Sequence, residues 1–342
     1  MSTDGTTAIE EQKRKGLRVA FAVSIGFTVA VYAGAIVPFL GPLFAAQFLL
    51  GSSRPMPFGK TVGAAMVILI TGIAMMMLTS LLGERPAPFL LLLGLTYFAC
   101  FVAQSAGKGG PAVFLVLVVA IIVPLLGILN KDLANSILSI LVTGVLSGTL
   151  LMWLAYAIFP EPLGQTFEAV SSGERPPALL RALANTGILL TSVVICLTSD
   201  NLTAAAVIPI TVASLLGQLD VAASSRAAVG LVLVNLFGGV LASVAYAALT
   251  LRPSLLSIFL IVLIVALLLG GRAAGRSKDA AVFAGALTTF LILFGLGVSP
   301  LPGSAAESFA TRIVYVAAAL IYALLFSAIL WPRTSNSKGI AA

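Results

Sequence analysis

Apolar residues run along this chain in twelve blocks, divided by short stops that carry nearly all of its charge. The blocks cover about residues 17–37, 39–51, 60–83, 87–105, 111–129 and 133–158, then 179–198, 201–217, 222–250, 253–271, 279–298 and 306–331. Strands placed between lipid and a lumen alternate in polarity with a period of two. That alternation is absent, so the blocks predict helices. Most approach the roughly 20 residues that carry a helix across a hydrocarbon core about 30 Å thick. The expected fold is all-α, a polytopic membrane protein with about twelve transmembrane helices.

The pattern also repeats. Residues 17–160 and 179–332 each hold six blocks in the same order. Each half opens on a basic residue, in Leu17-Arg18-Val19-Ala20 and in Leu180-Arg181-Ala182-Leu183. A short proline-bearing second segment then ends in Leu50-Gly51 or Leu216-Gly217, and Lys60 or Arg226 precedes the third. The closing runs end at Pro160 and Pro332. Six spans per half give the two copies the same orientation, so the expectation is two parallel six-helix repeats. Around them lie an N-terminal tail (1–16), a linker (161–178) and a C-terminal tail (333–342). Residues 1–15 are polar and are expected to be disordered.

Composition agrees with this and fixes an orientation. Apolar residues make up 60% of the chain and charged residues 9%, against roughly a quarter charged in soluble domains. With both termini inside, the outer loops hold only Arg85, Lys131, Arg252 and Arg312. The other 15 of the 19 basic residues (19 − 4) then lie on the inner side, as the positive-inside rule requires. The net charge of +7 follows from this sorting and implies contact with anionic lipid rather than nucleic acid. Cys100 and Cys196 fall inside spans and read as packing thiols.

Little of the chain carries bond-making chemistry. It has no histidine, which removes histidine triads, metal sites and proton shuttles. Gly59-Lys60-Thr61 resembles the end of a phosphate-binding loop, but Arg54 stands where that motif needs its first glycine. Apart from Glu10-Glu11 in the polar N-terminal stretch, the acids sit singly. No enzyme activity, metal or cofactor is expected.

The remaining reading is a passage through the membrane. Transporters often arise from duplicated halves, with a site near the midplane at short or interrupted helices in matching positions. Segments two and eight fit that description through Pro38, Pro42 and Pro209, whose alternative role is a plain packing kink. Gln47, Tyr97, Asn185, Asn235, Thr288 and Thr289 stand out among the few polar residues within spans. Each either bonds a neighbouring helix or meets a substrate. Asp200 either exchanges a proton or caps segment eight. Glu307 and Arg312 are spaced for an interfacial ion pair. The glycines of Gly144-x-x-x-Gly148 suit close helix packing, within one bundle or between copies.

The landmarks of both halves together resemble the fusaric acid resistance protein superfamily, which includes aromatic carboxylic acid exporters. In the first half they are Leu17-Arg18-Val19-Ala20, the proline-bearing second segment, Leu50-Gly51, Lys60-x-x-Gly63 and Phe159-Pro160. In the second they are Arg181, Pro209, Leu216-Gly217, Arg226-x-x-x-Gly230 and Trp331-Pro332. The chain differs from the better-known exporters in lacking a sizeable cytoplasmic domain between its halves. The resemblance implies a multi-pass protein of the bacterial inner membrane, driven by the proton gradient, with a periplasmic membrane-fusion (adaptor) protein as partner. The expectation is a secondary transporter that exports a small aromatic or amphipathic organic anion. Its contacts are then expected at Pro38, Pro42, Gln47, Asn185, Pro209 and Asn235, with Asp200 as the coupling acid. The alternative is a non-transporting assembly or lipid-handling scaffold. The sequence leaves the oligomeric state open.

Overall fold

A computed structural model of the chain describes residues 3–51, 55, 57–106, 110–129, 131–160, 179–198, 207–221, 225–275 and 280–299, and ten positions between 314 and 329. Six helices form the first half of the chain: α1 (Thr3–Tyr32), α2 (Leu40–Gly51), α3 (Phe58–Leu82), α4 (Pro86–Ser105), α5 (Gly110–Leu129) and α6 (Lys131–Ile158). After them come α7 (Leu179–Leu197), α8 (Val207–Val221), α9 (Ser225–Leu251), α10 (Leu255–Ala273) and α11 (Ala280–Val298). The described residues from Val314 to Ile329 are helical, with Ala319, Ala323 and Ser327 buried at a spacing of one turn. No strand occurs among the described residues, and the fold is all-α.

Among the described residues, seven helical stretches are long and apolar enough to cross a membrane: Glu10–Tyr32, Phe58–Leu82, Pro86–Ser105, Leu138–Ile158, Leu179–Leu197, Leu255–Ala273 and Ala280–Val298. α3 explains why lipid is their solvent. Its buried residues are Thr61, Ile68, Gly72, Met75 and Thr79, a thin stripe at helical spacing. Ile70, Ile73, Met77 and Leu81 stand exposed outside that stripe, an apolar surface that water does not tolerate. The chain is a polytopic membrane protein.

α2 reverses this pattern. Leu40, Gly41, Pro42, Leu43, Phe44, Ala45, Ala46, Phe48 and Leu49 are all buried, so the helix is surrounded. α8 buries Pro209, Thr211, Val212, Ala213, Leu215 and Leu216. With 12 residues, α2 is only about 18 Å long at ~1.5 Å per residue, and the described part of α8 has 15 residues. The prolines of α2 do not interrupt it. Pro38 precedes α2 and Pro42 lies in its first turn, while Pro209 is the third residue of the described part of α8. A first-turn residue has no intrahelical acceptor for its N–H, so proline costs nothing there.

α2 lies directly on α6, where two backbones meet. A Cβ on Gly148 would lie 2.7 Å from Phe44 Cβ and 2.9 Å from the Gly41 carbonyl oxygen, and one on Gly144 would lie 3.1 Å from Leu40 Cβ. The Gly144–Gly148 pair therefore serves packing inside the chain. Other contacts run α1 on α10, α4 on α7, α2 beside α11, α5 beside α8, α3 on α5, and α9 on α11.

The polar N-terminal stretch departs from expectation. α1 is helical from Thr3, so residues 3–16 extend the first helix instead of forming a disordered tail. Ala8 to Lys15 contains neither glycine nor proline, and Glu10–Arg14 and Glu11–Lys15 stand at the favourable i,i+4 spacing. Tertiary bonds then hold the extension. Gln12 Nε2 donates to Gly271 O at 3.2 Å, and Lys15 Nζ donates to Leu50 O at 2.9 Å.

Candidate functional site

The polar centre of the bundle lies where α2 meets α11. Gln47 is the one residue of α2 with an amide side chain, on a helix otherwise walled by apolar groups. Its Nε2 donates to Thr288 Oγ1 of α11 at 3.1 Å, and Thr288 Oγ1 in turn donates to Ala284 O at 3.0 Å. Further along α11, Phe294 stacks on Phe290, and its ring centre lies 5.4 Å from that of Phe27 in α1. A half-buried amide bonded to a hydroxyl is neutral. It offers donors and an acceptor to a polar group but neither a nucleophile nor a strong acid or base.

Of the other residues expected at a site, Pro38 and Pro42 are buried at the start of α2, and Pro209 is buried in α8. Asn185 is 1% exposed on α7, where it is engaged by neighbours. Asp200, Glu307 and Arg312, and the side chain of Asn235, lie outside the described residues. Gln47 and Thr288 are thus the pair that the fold brings together. Cys100 and Cys196 are buried, and neither forms a disulfide.

Two features carry no obvious flag in the sequence. In α5, Pro124 lies inside the helix and lacks the N–H that would bond the carbonyl of Ala120. Tyr97 of α4, fully buried, fills that place: its hydroxyl donates to Ala120 O at 3.2 Å. The second feature is Arg18, 3% exposed, whose Nε donates to Phe159 O at 2.7 Å while its guanidinium lies 4.4 Å from the centre of the Tyr156 ring. Phe159 follows the last turn of α6, so a cation sits at the negative end of that helix. A proline deep in an apolar block, with a lone tyrosine in the block before it, is the sequence signal for the first feature. An arginine at the edge of a block is the signal for the second.

These features define an α-helical membrane protein in which a short, buried helix, α2, is bonded through a neutral polar contact to the longer helix α11. Residues 15–155, from within α1 to near the end of α6, match a family model described as "Protein of unknown function (DUF2955)". No curated protein and no solved structure matches the chain.

Proposed function

We propose that this chain is a secondary transporter of twelve helices in two parallel halves, 17–160 and 179–332, which exports small aromatic or amphipathic organic acids across the bacterial inner membrane. One observation carries the reading: α2, second in the first half, is shorter than a membrane span and surrounded by protein, and the described side chains of α8, at the matching place in the second half, are buried or half-buried likewise. Helices of partial length at matching places in two halves mark the substrate site of many transporters. Gln47 is then the principal polar contact, reached between α2 and α11.

The duplication draws support from the pairing of helices. α1 packs on α10 as α7 packs on α4, and α2 meets α11 as α8 meets α5. Exchanging the halves maps each pair onto the other. The family match runs from α1 to α6, the extent of one half. The sorting of basic residues supports cytoplasmic termini. The resemblance to the fusaric acid resistance superfamily supports organic acid export, coupling to the proton gradient and a periplasmic adaptor partner; Asp200, the acid between segments seven and eight, is the candidate coupling group.

The experiment compares cells with and without the chain for sensitivity to, and accumulation of, a panel of aromatic carboxylic acids. Each compound is tested with and without an uncoupler. Export of at least one compound, abolished by the uncoupler and reduced in Gln47→Leu, is the expected outcome. Unchanged accumulation of every compound overturns the reading, and an Asp200→Asn variant with unaltered transport and pH dependence removes Asp200 as the coupling acid.

A further inference from the structure

Three successive side chains on one stripe of α1 bond the ends of three other helices. Gln12 Nε2 reaches Gly271 O in the last turn of α10, Lys15 Nζ reaches Leu50 O in the last turn of α2, and Arg18 Nε reaches Phe159 O just past α6. The spacing i, i+3, i+6 keeps all three on the same side of α1. A helix leaves its last four carbonyls without intrahelical partners and carries partial negative charge there. One amide and two cations are therefore placed where three helix C-termini converge. The backbones also touch at this end: a Cβ on Gly16 would lie 2.8 Å from Gly271 Cα. Farther along, α1 is enclosed as far as Phe27 apart from single positions, then uncovered from Tyr32 to Gly34.

We propose that Gln12, Lys15 and Arg18 form a latch that holds this end of the bundle closed, and that parting these bonds is the step that opens it. The inference rests on the transporter reading, in which this end faces the cytoplasm and must open to admit substrate. Gln12 ties α1 to the second half of the chain, while Lys15 and Arg18 tie it to α2 and α6 of the first. The latch thus spans both halves. Gln12 is exposed and Lys15 half-buried, so those two bonds part at the rim, whereas Arg18 is buried against the Tyr156 ring.

The test measures accessibility, so its outcome is independent of whether any compound is transported. In full-length protein carrying Cys100→Ala and Cys196→Ala, single reporters are placed at Ala20→Cys, buried just above the latch, and at Leu40→Cys, buried at the far end of α2. The rate of maleimide labelling is followed in lipid nanodiscs. The paired change Gln12→Leu with Lys15→Met removes two of the three bonds and leaves Arg18 to support folding. Labelling of the Ala20→Cys reporter is expected to rise roughly tenfold, with labelling of the Leu40→Cys reporter unchanged. Lys15→Arg, which keeps a cationic donor, should restore slow labelling when Gln12 is intact. Arg18→Met provides a second variant. Equal acceleration at both reporters indicates general loosening and overturns the latch, as does no acceleration at the Ala20→Cys reporter.

Discussion

Tyr97→Phe removes one hydroxyl from the interior of the bundle, and the structure specifies what that costs. The Ala120 carbonyl has no N–H to accept from at residue 124, because that residue is proline. Tyr97 supplies the donor at 3.2 Å from a side chain that is 0% exposed. Leaving a buried acceptor unsatisfied costs about 1–3 kcal/mol, whereas hydrogen bonds between membrane helices average about 0.6 and reach about 1.7 kcal/mol. A loss of about 1 kcal/mol is expected. The decisive measurement is the cycle with Pro124→Ala, which gives α5 its own N–H for Ala120 and makes the tyrosine donor dispensable. Stability is measured by reversible unfolding in mixed micelles with rising detergent denaturant, followed by the fluorescence of the two tryptophans. The cost of Tyr97→Phe should fall close to zero in the Pro124→Ala background, a coupling of about 1 kcal/mol. Costs that add to within about 0.3 kcal/mol, as at independent sites, refute the pairing of Tyr97 with the proline.

Three further predictions use the same unfolding assay. Gly148→Ala drives a methyl to 2.7 Å from Phe44 Cβ and 3.0 Å from the Ala45 nitrogen, and a loss of about 1–3 kcal/mol is expected from overpacking. Gly63→Ala, where an added Cβ meets nothing within 4 Å, should instead gain about 0.5–1 kcal/mol from helix propensity. Gln47→Leu breaks the bond to Thr288 and should cost only about 0.6 kcal/mol. Its effect on export should therefore far exceed its effect on folding.

The helices were legible because lipid demands long apolar blocks, and a block written in residues translates directly into a helix. α2 was expected over 39–51 and runs Leu40–Gly51; α4 was expected over 87–105 and runs Pro86–Ser105. The N-terminal stretch was misread because composition alone does not reveal a tertiary anchor. Gln12 and Lys15 look like solvated residues until Gly271 and Leu50 are seen beside them. The prolines of segment two were legible as landmarks but not in their effect. A shift of a few residues decides whether a proline starts a helix or breaks one. Gln47 and Thr288 were both visible as rare polar residues. Their partnership was not, because 241 positions separate them in the chain.

The proposed duplication also has limits, and these fall at polar or irregular places. Gln47 lies three residues before Leu50, and Ala213 lies three before Leu216, so the amide of α2 has no amide opposite it in α8. α5 contains an interior proline and α11 contains none. α10, which stands in the second half where α4 stands in the first, has a π-helical turn at Ala266–Gly270, while α4 is regular. That turn lies against α1: a Cβ on Gly270 would be 3.0 Å from Val19 Cγ1. Apolar packing tolerates exchange of one hydrophobic residue for another of similar size, so two copies can drift in sequence while their helices keep the same neighbours. A polar group or a backbone irregularity needs a specific partner, and it persists only where that partner persists. On this argument the symmetric contacts supply the frame that both halves share. Under the proposed duplication, the asymmetric ones, Gln47 with Thr288 and Tyr97 with Ala120, are the places where the two halves would differ in task.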